Sequence, residues 1–470
     1  MGRTRAVIES NNNYLFFFLK MEFLKNFDSL GRLFYIVSPN QTTFKYVREV
    51  PNYIDSTYTD LVMLVILEIF ISRLLKKPYI RINDSIANLS QGMLMEFTRI
   101  FVPGGRVALY MYIHLKFRLV DLPWNSPVTW WICFLGVDFV YYWTHRGAHT
   151  INILWATHIV HHSSEDYNIM TNVRQSILQA FLLWMLYLPL ALIVPVTAFL
   201  VHLQFSYIYQ FWIHTELIRS LGPLEYILNT PSHHRVHHGA NKNSIDKNFG
   251  GTLIIWDRLF GTFEAEKEEI VYGLTHPVGT FGIMQIQFNY CVDMYNKCRQ
   301  YKGWKNKLSV FIKGPGWSPG KPWLGDPKDI PEIKAPAKKY NPYLPGWCKI
   351  YTIWHFFLII QGYSSIMNMY TIFPSAVLYS TLTFEIISLI FIGLFLDRSI
   401  YAQNVEIMRC VIFFIIDYYL YYYTNYSLTS MHAKWIPEIL VQTTYAVSFF
   451  FWMIYNPLYT FYPTKKDSCS

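Results

Sequence analysis

Eleven of the fifteen histidines of this 470-residue chain lie between His145 and His238. Any fold it adopts must find partners for that many ring nitrogens. They fall into three dense groups: HxxxH at His145 and His149, HxxHH at His158, His161 and His162, and HxxHH again at His234, His237 and His238. His233 stands just before the third group. On a helix, positions i, i+3 and i+4 share a face. Each group therefore aims two or three imidazoles one way, and eight rings can converge where the segments meet.

The surroundings of these groups are apolar. Hydrophobic residues make up 52% of the chain and charged residues only 15%, against about 25% charged in soluble domains. Long apolar stretches recur, and about 20 residues suffice for a helix to cross a bilayer. The expected fold is therefore all-α: a polytopic membrane helical bundle with a histidine-rich di-metal cap on the cytosolic face. The net charge of +9 is spread over loops and termini and forms no stripe suited to nucleic acid. Six scattered cysteines without a CxxC pair give no disulfide framework and no thiolate metal site. Targeting signals are weak: the apolar patch from Tyr14 to Leu19 is too short for a signal-peptide core, and Lys465 and Lys466 lie one place too early for dilysine retrieval.

Residues 1–55 read as an extramembrane arm. A first span is expected at about 57–75, followed by Arg73, Lys76, Lys77 and Arg81, a basic cluster that marks the cytosolic side. Residues 85–117 read as a helical hairpin or a helix kinked at Pro103-Gly-Gly. Ser126 and Pro127 suit the cap and first position of a helix that carries Asp138 and runs into His145 and His149. Residues 176–213, with Pro189 and Pro195, suggest two helices that cross and return, ending at His214. The histidine groups thus sit where helices leave the bilayer, which matters because so many imidazoles would be costly within hydrocarbon. The domain reading is an arm (1–55), a catalytic membrane domain (56–300), a Pro/Gly/Lys-rich loop (301–348) and a C-terminal bundle (349–470). That bundle reads as spans at about 350–370, 372–397, 409–424 and 438–456, with few ionisable groups. The glycines of the loop at 314–320 have the wrong spacing and context for a dinucleotide fingerprint.

A single HxxxH pair means little, but three groups within one hundred residues point to metal. Without a metal or an anion, eight titratable rings would crowd together unfavourably. Imidazole suits zinc, copper, iron and nickel, and eight or nine rings are too many for one ion with open positions, so two ions are implied. Arg146 follows His145 where a metalloprotease HExxH would have Glu, and the Glu-xx-His pairs of carboxylate-bridged di-iron bundles are absent. An all-histidine site at a membrane surface points to iron and dioxygen, although spacing alone does not exclude zinc.

These groups, with Leu-Gly-Val-Asp-Phe (135–139), His-His-Ser-Ser-Glu-Asp-Tyr-Asn (161–168), Gln-Phe-Trp-Ile-His-Thr-Glu (210–216) and Asn-Thr-Pro-Ser-His-His-Arg-Val-His-His-Gly (229–239), resemble the fatty acid hydroxylase and sterol desaturase superfamily of non-haem di-iron membrane oxygenases. Within it they look most like the tetrahydrobiopterin-dependent branch that cleaves ether lipids. The resemblance is strong over roughly 40–325, and the C-terminal part shares only hydrophobic character. It implies hydroxylation of the carbon beside the ether oxygen of a 1-O-alkylglycerol or its lyso-phospholipid, followed by release of a fatty aldehyde. It implies two Fe ions, held by His145, His149, His158, His161, His162, His234, His237 and His238, with His214 as a ninth candidate. O2 is the implied co-substrate, and a multi-pass endoplasmic reticulum location with the cap in the cytosol follows. Gln210 and Thr150 stand where relatives carry His and Glu. Asp138, Glu165, Asp166 and Asp257 are the carboxylates near enough to hold ligand rings, each equally explicable as a cap or a surface charge. His202 reads as a packed or pore-lining histidine.

The chain shows no haem, flavin, nicotinamide or iron–sulfur signature, so its two electrons per turnover come from outside. A diffusible pterin fits that gap, and so does a separate membrane cytochrome. The alternative within the superfamily is a sterol or fatty acyl hydroxylase or desaturase fed by a cytochrome. A metal transporter would instead need ligands in mid-membrane and a charged path through the later spans. The substrate is expected to enter from the bilayer through an apolar tunnel, with Trp143, Trp155 and Trp212 as candidate wall residues.

Overall fold

The computed structural model describes residues 30–77, 80–101 and 104–455. The patch from Tyr14 to Leu19, Pro103, and Lys465 and Lys466 lie outside the described residues. All named elements are helical; the only β-pairing among the described residues is two isolated bridges, Leu228 with Leu253 and Gly239 with Tyr272.

The first long helix, α1 (Tyr58–Leu74), is mostly apolar, with charge at Asp60, Glu68 and Arg73, and Met63, Ile66 and Phe70 on it are exposed. The apolar stretch after it divides into α2 (Ile82–Phe101) and α3 (Gly105–Phe117), joined through Gly104 at φ 69°. That left-handed conformation suits a residue without a Cβ. The stretch is two helices rather than one kinked helix, and they enter different cores: Ile86, Leu94 and Phe97 of α2 lie in one and Tyr110 of α3 in another. The next helix, α4 (Pro127–Thr150), starts with Ser126 at its N-cap, although the Ser126 side chain makes no capping hydrogen bond, and Pro127 at its first turn. At 24 residues and about 1.5 Å per residue it is long enough to carry His145 and His149 on its last turns.

A short helix, α5 (Ile159–His162), carries His161 and His162 of the second histidine group, with His158 as its N-cap. The stretch expected to be two crossing helices is different in its first half: Gln179–Leu182 is one α-turn, and Leu183–Leu192 is a 3-10 run containing Pro189. Proline lacks the N–H that an α-helix interior requires, and the full helix α6 (Val196–Trp212) begins only after Pro195. The third histidine group lies on α7 (Pro231–His237), and a further short helix, α8 (Ile255–Phe260), follows. Beyond α9 (Ile283–Gln300), part of the expected loop is also helical, as α10 (Trp304–Ile312). The remainder runs to residue 345 as turns and irregular chain, with one 3-10 turn at Pro327–Asp329.

Among the described residues, four long helices form the C-terminal bundle, α11 (Gly346–Met369), α12 (Ser375–Leu396), α13 (Ala402–Tyr423) and α14 (Glu438–Ile454), with a short helix at Leu428–His432 between the last two. Only α12 among the described residues is both long and apolar enough to cross a membrane, with a mean hydropathy of 1.9; Glu438–Ile454 and Gln179–Leu192 are apolar but shorter. The bundle is not detached from the histidine half. One continuous core runs from Ile86, Leu94 and Phe97 of α2 through Ile159 and Val160 of α5 to Phe356, Leu382 and Phe391.

The expectation of few ionisable groups in this bundle misses a buried network. Arg409 pairs with Glu406 at 2.6 Å and donates to His355 Nδ1 at 2.8 Å. His432 lies 2.8 Å from Glu385. All five are fully buried. A Cβ on Gly362 would collide with Glu385 and His432, so glycine is what allows that pair to close. Breaking such a buried pair by removing one member is strongly destabilising.

Candidate metal centre

Nine buried histidines form two adjacent clusters. His145, His149, His158, His162 and His237 offer ring nitrogens within 4.8 Å of one another, and so do His161, His214, His234 and His238. Helix geometry explains the division. At 3.6 residues per turn, positions i and i+4 diverge by about 40°, and i+3 lies about 60° to the other side of i. On α5 and its N-cap the i and i+4 rings, His158 and His162, join the first cluster, while His161 turns to the second. On α7 and its C-cap the roles reverse: His234 and His238 join the second cluster and His237 the first. Each HxxHH group thus bridges both clusters.

The outer nitrogens of several rings are held by the backbone. Nδ1–H of His145 donates to the carbonyl of Phe249 at 2.9 Å, His237 to Lys247 at 2.9 Å, His161 to Arg174 at 3.2 Å and His214 to Gln210 at 2.7 Å. Those bonds fix the tautomer and leave Nε2 with its lone pair facing inward. The Nε2 atoms of His149, His237 and His238 have no hydrogen-bond partner although buried.

Inward nitrogens lie close together: His145 to His158 at 3.0 Å, His158 to His162 at 3.2 Å, His161 to His214 at 3.3 Å, and His214 to His234 at 2.9 Å. Imidazole–metal bonds of about 2.1 Å place neighbouring ligand atoms about 3 Å apart. Converging lone pairs, orphaned buried nitrogens and this spacing fit two metal ions, one per cluster.

Burial, and then the neighbouring histidines, hold His158, His161, His162, His234, His237 and His238 well below the usual imidazole range, and burial lowers His214 to about 4. Neutral imidazole is the form that ligates. In the unfolded chain these rings take up protons near pH 6.5. Below that pH the unfolded state binds more protons than the folded one, so stability falls as pH falls, by about 1.4 kcal/mol per pH unit for each such ring. Metal-stripped protein should therefore lose thermal stability steeply from pH 6.5 toward pH 4. A flat melting midpoint over that window would contradict neutral burial.

The carboxylates near the motifs act on backbone rather than on rings. Asp138 accepts from the N–H groups of Thr252 and Leu253 and from Trp256 Nε1. Asp257 accepts from the N–H groups of Phe249 and Gly250, each at 2.7 Å, and from the Thr262 hydroxyl. Together they clamp loop 249–253 from both sides, and through the Phe249 carbonyl they orient His145. The glycines are needed there: a Cβ on Gly251 would strike the Tyr141 ring.

Glu165 and Asp166 point elsewhere, to the Tyr340 N–H and to Arg81 and Lys339. Among the described residues, the carboxylate that does reach a ring of these clusters is Asp246, 3.5 Å from His149 Nδ1. Asp246 and Asn248 both have positive φ, a conformation Asp and Asn tolerate best after glycine. These two residues flank the Lys247 carbonyl that receives His237.

Glu68, in the middle of apolar α1, is a second residue the spacing gave no reason to select. It is 4% exposed and accepts from the Ile169 N–H and the Thr215 hydroxyl. It thereby ties α1 to the segments beside Arg174 and His214. A carboxylate in an otherwise apolar helix was the available signal.

The remaining expectations divide. Gln210 offers its carbonyl to His214 and its side chain to Tyr141. Thr150 caps back to the Arg146 carbonyl and touches no histidine ring. His202 packs against Trp130 and takes Nδ1 to the Tyr35 hydroxyl at 2.8 Å. Trp155 makes tilted ring contacts with His149 and His162, whereas Trp143 packs on Phe260 and Trp212 on Phe34 and Tyr209. An apolar groove of about 450 Å³ is lined by none of these three tryptophans.

The fatty acid hydroxylase family model matches residues 130–262, and the model of the alkylglycerol monooxygenase C-terminal domain matches residues 348–434. Alkylglycerol monooxygenase of Xenopus tropicalis is 47% identical over 393 residues, covering 84% of this chain and 88% of that protein. The Homo sapiens protein of the same name is 46% identical over 82% of this chain and 86% of its own. That of Caenorhabditis elegans is 35% identical over 81% and 80%. No solved structure matches the chain.

Proposed function

Because the chain belongs to the alkylglycerol monooxygenase family, we propose that it is an ether-lipid monooxygenase working with two iron ions, O2 and tetrahydrobiopterin. Its reaction hydroxylates the ether-linked alkyl carbon of 1-O-alkylglycerols and their lyso-phospholipids. The hemiacetal so formed breaks down to fatty aldehyde and a glycerol derivative. The observation that carries this reading is the pair of all-histidine clusters, five and four rings, buried side by side.

His145, His149, His158, His162 and His237 would hold one iron, and His161, His214, His234 and His238 the other. Iron held there would supply dioxygen activation, and the pterin would be the electron source. The chain's own contribution is positioning. Backbone carbonyls of Phe249, Lys247, Arg174 and Gln210 hold four of the rings by their outer nitrogens, so the inner nitrogens are aimed before metal arrives. Burial of all nine rings keeps bulk water from the centre.

We read the chain as an integral protein of the endoplasmic reticulum membrane, with the histidine cap facing the cytosol. Exposed apolar side chains on α1, and Val447, Phe450, Met453 and Ile454 on α14, support lipid-facing surfaces, since soluble proteins seldom expose such contiguous patches. The domain division proposed is residues 1–55, 56–300, 301–348 and 349–470.

The test is an assay of iron-loaded membranes with 1-O-alkylglycerol, with and without tetrahydrobiopterin, following fatty aldehyde. Aldehyde that depends on the pterin is the expected result. No aldehyde, with iron confirmed as bound, would reject this reaction and leave the cytochrome-fed sterol or acyl hydroxylase.

A further inference from the structure

The apolar groove of about 450 Å³ runs between α1, α2 and α11. Ile69 of α1, Leu89 of α2, and Ile353 and Phe357 of α11 form its walls, and Arg73 and Lys77 stand on its rim. Its composition is therefore graded, from hydrocarbon walls to two cations.

The basic part adjoins the histidine cap. Lys77 Nζ donates to the carbonyl of Glu216 at 2.9 Å, two residues beyond His214. Met170, which also lines the groove, belongs to the turn that ends at Arg174, whose carbonyl holds His161. Glu68, one residue before Ile69, bonds to both of these segments. The groove thus lies along the elements that position two of the four rings in the His161 cluster.

We propose that this groove seats a single-chain ether lipid whose head group carries phosphate, with the phosphate on Arg73 and Lys77 and the alkyl chain along Ile69, Leu89, Ile353 and Phe357. The assignment rests on the ether-lipid reading above and names the residues that select the head group. The carbon beside the ether oxygen is the first of the chain and adjoins the head group. Holding the phosphate at the basic rim therefore keeps that carbon at the cap side while the rest of the chain points away. Lysine has three donors, so Lys77 serves a phosphate while keeping its bond to Glu216. A charge-assisted contact of this kind is stronger than a neutral one, so the groove favours phosphate-bearing lipids over neutral alkylglycerol.

Photolabelling of the full-length protein tests this with two chain-end diazirine probes, a 1-O-alkylglycerol 3-phosphate and the neutral 1-O-alkylglycerol. Both should label the walls at Ile353, Phe357 or Leu89, the phosphate probe at lower concentration. The double substitution Arg73→Gln and Lys77→Gln should raise the half-labelling concentration of the phosphate probe about tenfold and leave the neutral probe within about twofold. Lys77→Gln alone, checked for unchanged iron content, serves if the double variant does not fold. Label outside the groove, equal effects on both probes, or competition by a two-chain phosphatidate as strong as by the single-chain lipid would overturn the assignment. Aldehyde release measured in parallel separates the two readings. Aldehyde without groove labelling rejects the groove alone, and groove labelling without aldehyde rejects the reaction alone.

Discussion

His161→Ala should abolish aldehyde formation and lower bound iron from two per chain toward one. His161 is one of four rings in its cluster, and its Nε2 lies 3.3 Å from that of His214. Without it three rings remain, while the five-ring cluster keeps all its members. Changes in groups that merely support a ligand cost 10–100-fold in metal affinity or activity, so loss of the ligand itself should cost more than about a hundredfold. The control is His202→Ala. His202 is as buried as the cluster rings but bonds to Tyr35, so this variant should keep both irons even if it melts earlier. Iron content unchanged in His161→Ala, or equally reduced in His202→Ala, would mean that burial rather than ligation distinguishes the cluster.

The second large effect is expected at a residue that touches no histidine. Asp257→Ala removes the acceptor of two backbone N–H groups and of the Thr262 hydroxyl, all buried. Leaving buried donors unsatisfied costs about 1–3 kcal/mol each, so destabilisation on the order of 3 kcal/mol or more is expected. Loop 249–253 would then release the Phe249 carbonyl from His145, and iron should be lost first from the five-ring cluster. The two losses are separable, because thermal melting reads the first and metal analysis the second. Asp257→Asn keeps one acceptor oxygen and should fall between the parent and Asp257→Ala on both measures. A variant that melts early yet keeps both irons would show that the clamp serves folding only.

What the residues disclose by themselves is local. HxxxH and HxxHH spacings say which rings share a helix face, and Ser126-Pro127 marks where α4 begins. Assignment of His161 to one cluster and of its neighbours His158 and His162 to the other depends on how α4, α5, α6 and α7 cross. Periodicity within one segment carries no such information. The carboxylates show the same limit. Proximity in the chain suggested that Asp138 and Asp257 hold rings, whereas they hold the loop whose carbonyl holds a ring. Asp246 and Glu68 act across 97 and 101 residues, respectively, on His149 and Ile169, beyond the reach of any short motif. Pro189 marks a break between helices, but not that the segment around it winds as a 3-10 run. The buried Glu406–Arg409 pair was hidden for a different reason: an i, i+3 pair of opposite charge reads as a solvated helix face until the partners α11 and α14 are placed around it.

The central claim is that nine histidines form two separate metal sites, and metal stoichiometry tests it most directly. Protein purified under iron-replete conditions should contain two irons per chain, falling to about one when either His161 or His237 is replaced by Ala and to none when both are. A single iron per chain in the parent protein, or two irons retained in the double variant, would contradict the division into a five-ring and a four-ring site.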